Sequence, residues 1–395
     1  MADPFSAHAA LRDRCPVAHV TDVPAGNPDY YVLSRYDDVF DVLRSPQRWV
    51  SRNGHGPGYL RRANSTLAYV DPPEHTRQRR LVQKAFTPSI VAELAPEVAQ
   101  IAHGLVDRFV DEGRTDLHDA FSYPFPVIVI ARLLGVAEEL QDTFKRWSDD
   151  NLARLASGDP TTYRESAHEF NEYFTEQLEW RRARLTDGST VGELPNDLLS
   201  GMVSAEHEGQ SLNTGEMLSM ISQLLTAGNE TTTSLLNNMV IRLCERPELL
   251  ARVAADPTLD EAVVEESLRF DSPVLGLWRT PETPVCLHGV DIPQDAKVQV
   301  LFASANRDGA VFEEPNEFRV DRADGYRRHL AFGFGPHVCL GAPLARLEGR
   351  IGLRVLLDRL PDLRLDGVPL RIPTFFLWGF RTTPVAWSTG SRGGG

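Results

Sequence analysis

The sequence predicts a mainly α-helical protein with small β-sheets, which places it in the α+β class. Three observations support this prediction. Apolar residues recur at helical spacing through most of residues 90–268. Residues 285–300 change to short strand-like runs separated by turn residues, and the sequence after Leu360 is again strand- and turn-like.

Composition and charge limit the function classes. The chain has 395 residues and a net charge of −14, which argues against nucleic-acid binding because that requires a basic surface. No apolar run reaches the roughly 18 residues of a membrane span, and the first residues lack a signal-peptide pattern. The four cysteines lie far apart without a C-x-x-C pair, which indicates a protein of the reducing cytoplasm.

Local signals predict the elements in chain order. Residues 30–33, Y-Y-V-L, have the composition of a strand, and residues 37–43 have helical spacing. A basic helix begins at Pro73. Because no linker or repeat divides the chain, we expect residues 1–389 to form a single domain and residues 390–395 to form a flexible tail.

Residues 213–246 predict the longest helix. Asn213 and Glu216 have the spacing of a capping box at its start, and Pro247 ends it. Its centre reads A-G-N-E-T-T-T, where Gly228 costs about 1 kcal/mol relative to alanine. Such a break inside a strong helix often marks a functional site. A glycine needed for helix packing, with threonines facing solvent, would explain the same pattern.

Residues 332–341, F-G-F-G-P-H-V-C-L-G, carry the strongest functional signal. Gly333 and Gly335 permit the positive φ angles of a tight loop. Pro343 suits the first turn of a helix, so Cys339 lies just before a helix N-terminus, where free N–H groups favour an anion. We therefore expect its thiol to have a lowered pKa and to bind metal as a thiolate. A lone cysteine is more commonly a small apolar packing residue, but cysteine thiolate is also a known ligand of haem iron.

The loop resembles the haem-binding loop of the cytochrome P-450 family. The family pattern F-x-x-G-x-[HR]-x-C-x-G is met by Phe332, Gly335, His337, Cys339 and Gly341. The resemblance implies the P-450 fold over nearly the whole chain. It also implies haem b between the long central helix and the helix after the cysteine loop, with Cys339 as the iron ligand. Gly333 would lie in the same cofactor-binding loop.

The central helix is similar to the oxygen-activating segment of that family, [AG]-G-x-[DE]-T-[TS]. Its positions are met by Ala227, Gly228, Glu230, Thr231 and Thr232. The resemblance implies that Thr231 presents a hydroxyl to bound dioxygen and that Glu230 supplies it with protons from solvent, as a short acid relay. Gly228 would let the helix widen to make room for oxygen, and Ala227 would face the haem.

Two further residue sets are assigned by the resemblance. The haem propionates need cations, and the family's positions for these correspond to His75, Arg79, Arg279 and His337. Glu266 and Arg269 match the family's E-x-x-R and lie on one helix face. In the family this pair is buried and structural and is joined by a later arginine. Arg322 is the better match for that arginine and Arg319 is the alternative.

The family's substrate pocket lies above the haem. The residues that correspond to its walls are Gln223, Thr226, Ala227, Leu275, Phe376 and Leu377. These walls are mainly apolar, with Gln223 and Thr226 as possible hydrogen-bond donors, which suits an apolar or amphipathic small molecule. For the aromatic-rich turn around Phe376, ordinary strand core is the alternative.

The implied activity is that of a bacterial-type haem-thiolate monooxygenase, acting as a monomer in the cytoplasm in secondary metabolism or catabolism. Dioxygen and two electrons would hydroxylate the substrate. Because no redox domain is recognised in the chain, we expect a separate ferredoxin or flavodoxin with its NAD(P)H-dependent reductase. A basic cluster on the cysteine side, Arg77, Arg80, Lys84, Arg327, Arg328 and Arg346, would dock this acidic partner.

Other functions fit the same motifs. Epoxidation, desaturation, dealkylation or oxidative coupling would use the same machinery as hydroxylation. A haem protein that only binds a ligand would not need the Glu230–Thr231 pair. A zinc site built on His337 and Cys339 lacks further ligands at suitable spacing.

Overall fold

The structure is a computed structural model that describes residues 3–23, 27–59, 65–83, 86, 88–157, 163–205, 209–322 and 328–389. The predicted tail, residues 390–395, lies outside these ranges, as do Lys84 and Arg327 of the predicted basic cluster. None of the described helices combines the length and apolar composition needed to cross a bilayer.

The described part of the chain is mainly helical. The α-helices are α1 (Phe5–Arg14), α2 (Tyr36–Arg44), α3 (Glu74–Gln83), α4 (Pro88–Glu93), α5 (Ala95–Asp107), α6 (Pro124–Leu133), α7 (Gln141–Ser157), α8 (Arg164–Thr186), α9 (Leu198–Ser204), α10 (Thr214–Cys244), α11 (Pro247–Ala255), α12 (Asp260–Phe270), α13 (Phe302–Ala305) and α14 (Ala342–Arg359). A π-helical turn at His118–Ser122 precedes α6. The predicted dominance of helices is confirmed.

The strands are short and form small sheets. They are β1 (Val17–Val20), β2 (Tyr30–Leu33), β3 (Trp49–Val50), β4 (Arg114–Asp116), β5 (Leu277–Pro281), β6 (Val285–Leu287), β7 (Val290–Ile292), β8 (Lys297–Val300), β9 (Arg364–Leu365), β10 (Leu370–Arg371), β11 (Phe380–Thr382) and β12 (Pro384–Ala386). The largest sheet has the order β1-β2-β8-β5-β3 and joins the two ends of the fold. The predicted strand at Tyr30–Leu33 is confirmed.

The hairpin between β6 and β7 also follows the sequence signals. The two strands pair antiparallel, with Leu287 opposite Val290. His288 (φ 49°) and Gly289 (φ 80°) fill the two-residue turn between them. Positive φ at both positions is what a type I′ turn requires, and this turn matches the twist of the two strands.

Helix α10 runs through the centre of the molecule and begins at the predicted cap. The Asn213 side chain accepts the Glu216 N–H, and the Glu216 carboxylate accepts the Asn213 N–H, both at 2.9 Å. The capping box is therefore confirmed. At about 1.5 Å per residue the 31 residues of α10 span about 46 Å. Residues 232–241 of the helix are buried throughout, so the second half of α10 is core.

Helix α14, which follows the cysteine loop, packs closely against this core. A Cβ on Gly352 would lie 2.9 Å from Leu236 Cδ2 of α10 and 3.3 Å from a Phe125 ring carbon of α6. A Cβ on Gly349 would lie 3.1 Å from Val264 of α12. The two glycines therefore permit a close approach of α14 to three neighbouring helices, which fixes the position of the cysteine loop at the start of α14.

A buried carboxyl group lies in the same interface. Glu348 of α14 is 2% exposed, and burial raises the pKa of its carboxyl to about 8, although a hydrogen bond with the Thr232 side chain opposes the shift. An isolated buried carboxylate would be costly, so the group is held as the neutral acid at neutral pH. The protonated acid thus links α14 to α10.

Glu348→Gln should change how stability depends on pH. The folded state keeps the Glu348 proton up to about pH 8, whereas the unfolded chain loses it near its ordinary pKa of 4.5. The free energy of unfolding of the wild type should therefore fall as pH rises between these values. Relative to the glutamine variant, which cannot ionise, the loss between pH 5 and pH 7.5 should be roughly 3 kcal/mol.

Urea unfolding at several pH values measures this difference. Glu179→Gln, the same substitution at an exposed position of α8, should retain the wild-type pH dependence. If the free energy of unfolding changed with pH in the same way for the wild type and Glu348→Gln, Glu348 would ionise freely in the folded protein.

Candidate active site

The cysteine loop has the tight backbone that its glycines predict. Gly333 and Gly335 have φ angles of 69° and 71°. A Cβ on Gly335 would lie 2.5 Å from the Leu43 carbonyl oxygen of α2, so no side chain fits there. The Cys339 N–H donates to the Phe332 carbonyl at 2.8 Å and closes the loop. The loop therefore presents Cys339 in one defined position, held against α2.

The Cys339 thiol is accessible at a position deep in the protein. Burial raises the pKa of this thiol. The N–H groups of Gly341 and Ala342 oppose this shift, as do the charges of Arg79 and Arg346. The prediction of a lowered thiol pKa is therefore wrong when only groups of the protein act on Cys339. The effect of burial, which raises the pKa, is larger than the stabilisation of the thiolate by the helix N-terminus. A metal ion reverses this balance, since it deprotonates a coordinating thiol outright.

The predicted relay residues lie next to each other on α10. The Thr231 hydroxyl donates to the Ala227 carbonyl at 2.7 Å, and Ala227 is exposed. Glu230 is half-buried, and burial together with the charge of Asp149 raises the pKa of its carboxyl. A Cβ on Gly228 would lie 2.7 Å from Ile130 Cδ1 of α6. This contact explains Gly228 by helix packing, without the widening of the helix that the resemblance implied.

Two of the four predicted propionate-binding residues are stacked histidines. The rings of His75 and His337 lie 4.1 Å apart between centroids. Nδ1 of His75 and Nε2 of His337 are buried and make no hydrogen bond with the described residues. Burial and nearby cations lower the pKa of His75 to about 4 and that of His337 to about 2. Buried polar atoms without partners are rare in folded proteins, so a ligand is expected to satisfy these two.

The two predicted arginines lie in the same region. Arg279 is 4% exposed, and its Nη1 donates to the Trp278 carbonyl at 2.8 Å and lies 3.3 Å from Nδ1 of His55. Burial lowers the pKa of Arg279 to about 10, which the charge of Asp71 only partly opposes. Arg79 Nη1 donates to the Val338 carbonyl of the cysteine loop at 2.7 Å. Both guanidinium groups thus bind neutral oxygens.

Sequence reasoning missed His55 and Lys297 beside this cluster. Nζ of Lys297, at the start of β8, donates to the Asn53 and Gly54 carbonyls at 2.9 and 3.0 Å. Burial and the charge of Arg279 lower the pKa of Lys297 to about 8. A lysine at the start of an otherwise apolar strand is a weak signal that could have drawn attention to it.

The site residues fit haem b. The region holds more cationic groups than acids, so it can accept the two propionate carboxylates. Across the described residues, no group of three or more His, Cys, Asp or Glu could hold a metal ion. This argues against the zinc alternative. A single accessible thiol instead suits a metal whose other ligands arrive with it, as iron does in a porphyrin.

Glu266 is the centre of a buried ion network behind the loop. Arg269 binds both of its carboxylate oxygens at 2.7 Å, and Nε of Arg322 lies 3.1 Å from each. Arg322 is therefore the third member of the network. The alternative, Arg319, contributes only its backbone N–H at 2.8 Å, while its side chain pairs with Asp321 at the surface.

Glu265, which the sequence analysis did not single out, binds the segment on both sides of the cysteine loop. Its Oε1 accepts Nε of Arg346 from α14 at 2.5 Å, and its Oε2 lies 3.1 Å from Nε2 of His329. Despite burial, these partners lower the pKa of Glu265 to about 2. The adjacent glutamates in E-E-S-L-R were the available signal.

The predicted substrate contacts divide into two groups. The Gln223 amide donates one of its two N–H groups to Thr66, and the Thr226 hydroxyl donates to the Ser222 carbonyl at 2.9 Å. Leu275 packs with Phe5, Ala303 and Trp378, which does not support a substrate contact. Phe376 remains 40% exposed, and Leu377 is buried beside Val274, with which it forms a bridge.

Two arginines of the predicted basic docking cluster are paired with acids. Arg77 is paired with Glu74 and Glu216, and Arg346 with Glu265. Arg328 is exposed and lies 5.9 Å from the Tyr36 ring. A uniform basic patch is therefore not formed by these arginines.

An accessible cysteine thiol deep in the protein, next to buried cations with too few acids, defines a haem-thiolate site in a mainly α fold. The chain belongs to the cytochrome P450 family, since the sequence profile "Cytochrome P450" matches residues 14–361. It is a cytochrome P450 monooxygenase, an oxidoreductase with haem b as its cofactor.

Relatives and solved structures agree with this assignment. Cytochrome P450 monooxygenase PikC of Streptomyces venezuelae is 38% identical over 100% of this chain and 93% of its own length. Mycinamicin IV hydroxylase/epoxidase of Micromonospora griseorubida is 36% identical over 92% of this chain and 89% of its own. The structure of CYP109Q5 from Chondromyces apiculatus superimposes with a TM-score of 0.87 at 39% identity, covering 98% and 96% of the two chains. The predicted P-450 fold is confirmed.

Arg269→Ala should destabilise the protein by about 3–5 kcal/mol. The substitution leaves the Glu266 carboxylate, which is fully buried, with half of its counter-charge removed. Urea unfolding measures the loss. Arg319→Ala is the matched control, because its side chain is 30% exposed and pairs at the surface; its loss should be much smaller. Equal losses in the two variants would contradict a special role for the buried network.

Proposed function

We propose that this P450 hydroxylates an apolar or amphipathic small molecule in secondary metabolism or catabolism. The observation that carries the proposal is the accessible Cys339 thiol deep in the protein, near two buried histidines whose ring nitrogens lack hydrogen-bond partners. Bound there, thiolate-ligated haem iron uses dioxygen, two electrons and two protons to place one oxygen atom into a substrate C–H bond and release the other as water. The relative named mycinamicin IV hydroxylase/epoxidase supports an epoxide as the second product type.

We assign the cofactor contacts residue by residue. Cys339 provides the iron ligand, within a loop formed by Phe332, Gly333 and Gly341. Arg79 and Arg279 are the cations that would hold the propionates, and the carboxylates would also satisfy the unpartnered ring nitrogens of His75 and His337. Glu266, Arg269 and Arg322 have a structural role, because their network is buried behind the loop.

The cavity walls support an apolar substrate. The polar groups of Gln223 and Thr226 take part in bonds within the protein, whereas Ala227 and Phe376 leave apolar surface open. Burial of apolar ligand surface yields about 25 cal/mol per Å², so these walls favour a molecule with a large apolar body. A screen for ligands that shift the ferric haem from low to high spin, followed by product analysis, would identify the substrate.

We also propose a separate acidic ferredoxin or flavodoxin, with an NAD(P)H-dependent reductase, as the electron donor. The outer face of the cysteine loop supports this. Phe334 of the loop is exposed, and its ring centroid lies 4.4 Å from that of Phe40. Arg328, which precedes the loop in the chain, is also exposed. An apolar side chain beside a cation suits a short-lived complex with an acidic partner. The four free cysteines support a monomer of the reducing cytoplasm, with residues 1–389 as one catalytic domain.

Cys339→Ser should remove the thiolate signature of the haem. The ferrous–CO complex of the wild type should show the red-shifted Soret band of a thiolate ligand, and the serine variant should lack it because an alcohol is a weaker donor than a thiolate. Cys286→Ser, at an exposed cysteine of β6, is the control and should keep the band. An unchanged spectrum in Cys339→Ser would disprove the ligand assignment.

Thr231→Ala should uncouple electron consumption from product formation. Substrate binding should persist. Because the hydroxyl that delivers protons to the bound oxygen is missing, product per NADPH should fall by about 10²-fold and the release of peroxide should rise. A surrogate ferredoxin system measures both. Thr231→Ser, which keeps the hydroxyl, should restore most of the yield; a normal yield in Thr231→Ala would exclude the relay.

A further inference from the structure

A second carboxyl group, Asp149, lies beside Glu230. Asp149 belongs to α7, which packs against α10. The residues that precede the two acids are bonded to each other, since Nδ2 of Asn229 donates to Oγ of Ser148 at 3.1 Å inside the protein. The charge of Asp149 contributes to the raised pKa of Glu230. The two carboxyl groups are therefore neighbours across the α7–α10 interface.

Asp149 also reaches the solvent. Its side chain is 44% exposed, and Nζ of Lys145, one helical turn away, lies 3.1 Å from Oδ2. The Tyr123 hydroxyl donates to Oδ1, and Nζ of Lys145 lies 4.9 Å from the Tyr123 ring. The carboxyl group is thus partly exposed and contacts a cation and a hydroxyl, and its charge acts on Glu230. With Asp150 of the same helix, these are the charged and titratable groups that surround it.

The pKa values of both acids are raised. Burial and the charge of Asp150 raise the pKa of Asp149 to about 6. Burial and the charge of Asp149 raise the pKa of Glu230. An acid transfers protons efficiently when its pKa lies near the working pH, because both its protonated and its ionised form are then populated. The outer group is the more exposed of the two and the inner group is adjacent to Thr231.

We propose that Asp149 is the outer member of a two-carboxyl proton relay that supplies Thr231 from solvent. The inference rests on the proposed function, in which Thr231 delivers protons to the oxygen site. In each transfer the Asp149 O–H bond breaks as an O–H bond forms on a bridging water molecule, which gives one of its own protons to Glu230. Glu230 then protonates the Thr231 oxygen while Thr231 releases its own proton toward the cavity. Solvent reprotonates Asp149, and no electron changes place.

The Thr231 hydroxyl is oriented suitably for this role. It donates to the Ala227 carbonyl at 2.7 Å, so its proton is engaged and its oxygen retains lone pairs that can accept a proton. The backbone carbonyl that holds the hydroxyl lies one turn before it on the same helix. A small rotation of the side chain would therefore change its partner without moving α10.

Asp149→Asn tests the relay, because it keeps the shape of the side chain and removes its transferable proton. With a substrate from the spin-state screen, we expect product per NADPH to fall about tenfold. The loss should be smaller than the 10²-fold or more that follows removal of a directly acting acid, because water can partly replace Asp149. The solvent isotope effect on turnover should rise. Asp142→Asn is the matched control, since it is the same substitution at an exposed position in the first turn of α7.

A second readout does not depend on turnover. In the ferric enzyme, the infrared C=O band that Glu230→Gln abolishes reports the protonation of Glu230. Its titration midpoint should move to lower pH in Asp149→Asn, because a neighbouring negative charge is removed, and should stay at the wild-type value in Asp142→Asn. An unmoved midpoint would overturn the pairing of the two acids.

The two measurements separate the relay from the proposed function. Product formation by the wild type with a surrogate ferredoxin tests the function by itself, and the ratio of variant to wild type tests the relay. A shifted midpoint with unchanged product yield and unchanged isotope effect would show that protons reach Glu230 by another route and would overturn the proposal.

Discussion

The position of the Cys339 thiol depends on two adjacent buried carboxylates of α12. Glu266 binds Arg322, which precedes the cysteine loop, and Glu265 binds His329 before the loop and Arg346 after it. Removing either carboxylate would leave buried cations uncompensated, and such groups cost several kcal/mol. Glu265 contacts both sides of the cysteine loop, so the loop between His329 and Arg346 has little freedom. A fixed thiolate is what a single axial ligand to a metal requires.

A second electrostatic constraint opposes the first. Behind the loop the acids and bases are matched, but around Arg279 and His337 the buried bases have few acids, and burial lowers the pKa of each. Unpaired buried charge destabilises a folded protein unless something neutralises it. We propose that the two carboxylates of haem fill that role. Binding of haem b and stability of the fold are therefore linked at this cluster.

The sequence predicted those features that local physics determines. The capping box at Asn213, the turn at His288 and the positive φ of Gly335 follow from residue type and spacing, and all were found. Lys297 and Glu265 were missed because their partners lie far away in the chain, so that only the fold brings them together. For two residues the structure shows packing contacts in addition to the roles that the resemblance implied. Gly228 is explained by its contact with Ile130, and Leu275 by its packing against Phe5.

The three consecutive residues Glu230, Thr231 and Thr232 show how one helix can place side chains with different roles at adjacent positions. Successive residues on a helix point about 100° apart, so these three side chains meet different surroundings. Thr232 is buried and bonds to the neutral acid Glu348, which has no contact with water. Glu230 faces α7, where Asp149 is partly exposed. Burial raises the pKa of both glutamates, but only the acid that is connected to solvent can be reprotonated rapidly. Burial alone therefore does not identify a proton donor, and its connection to water must be traced as well.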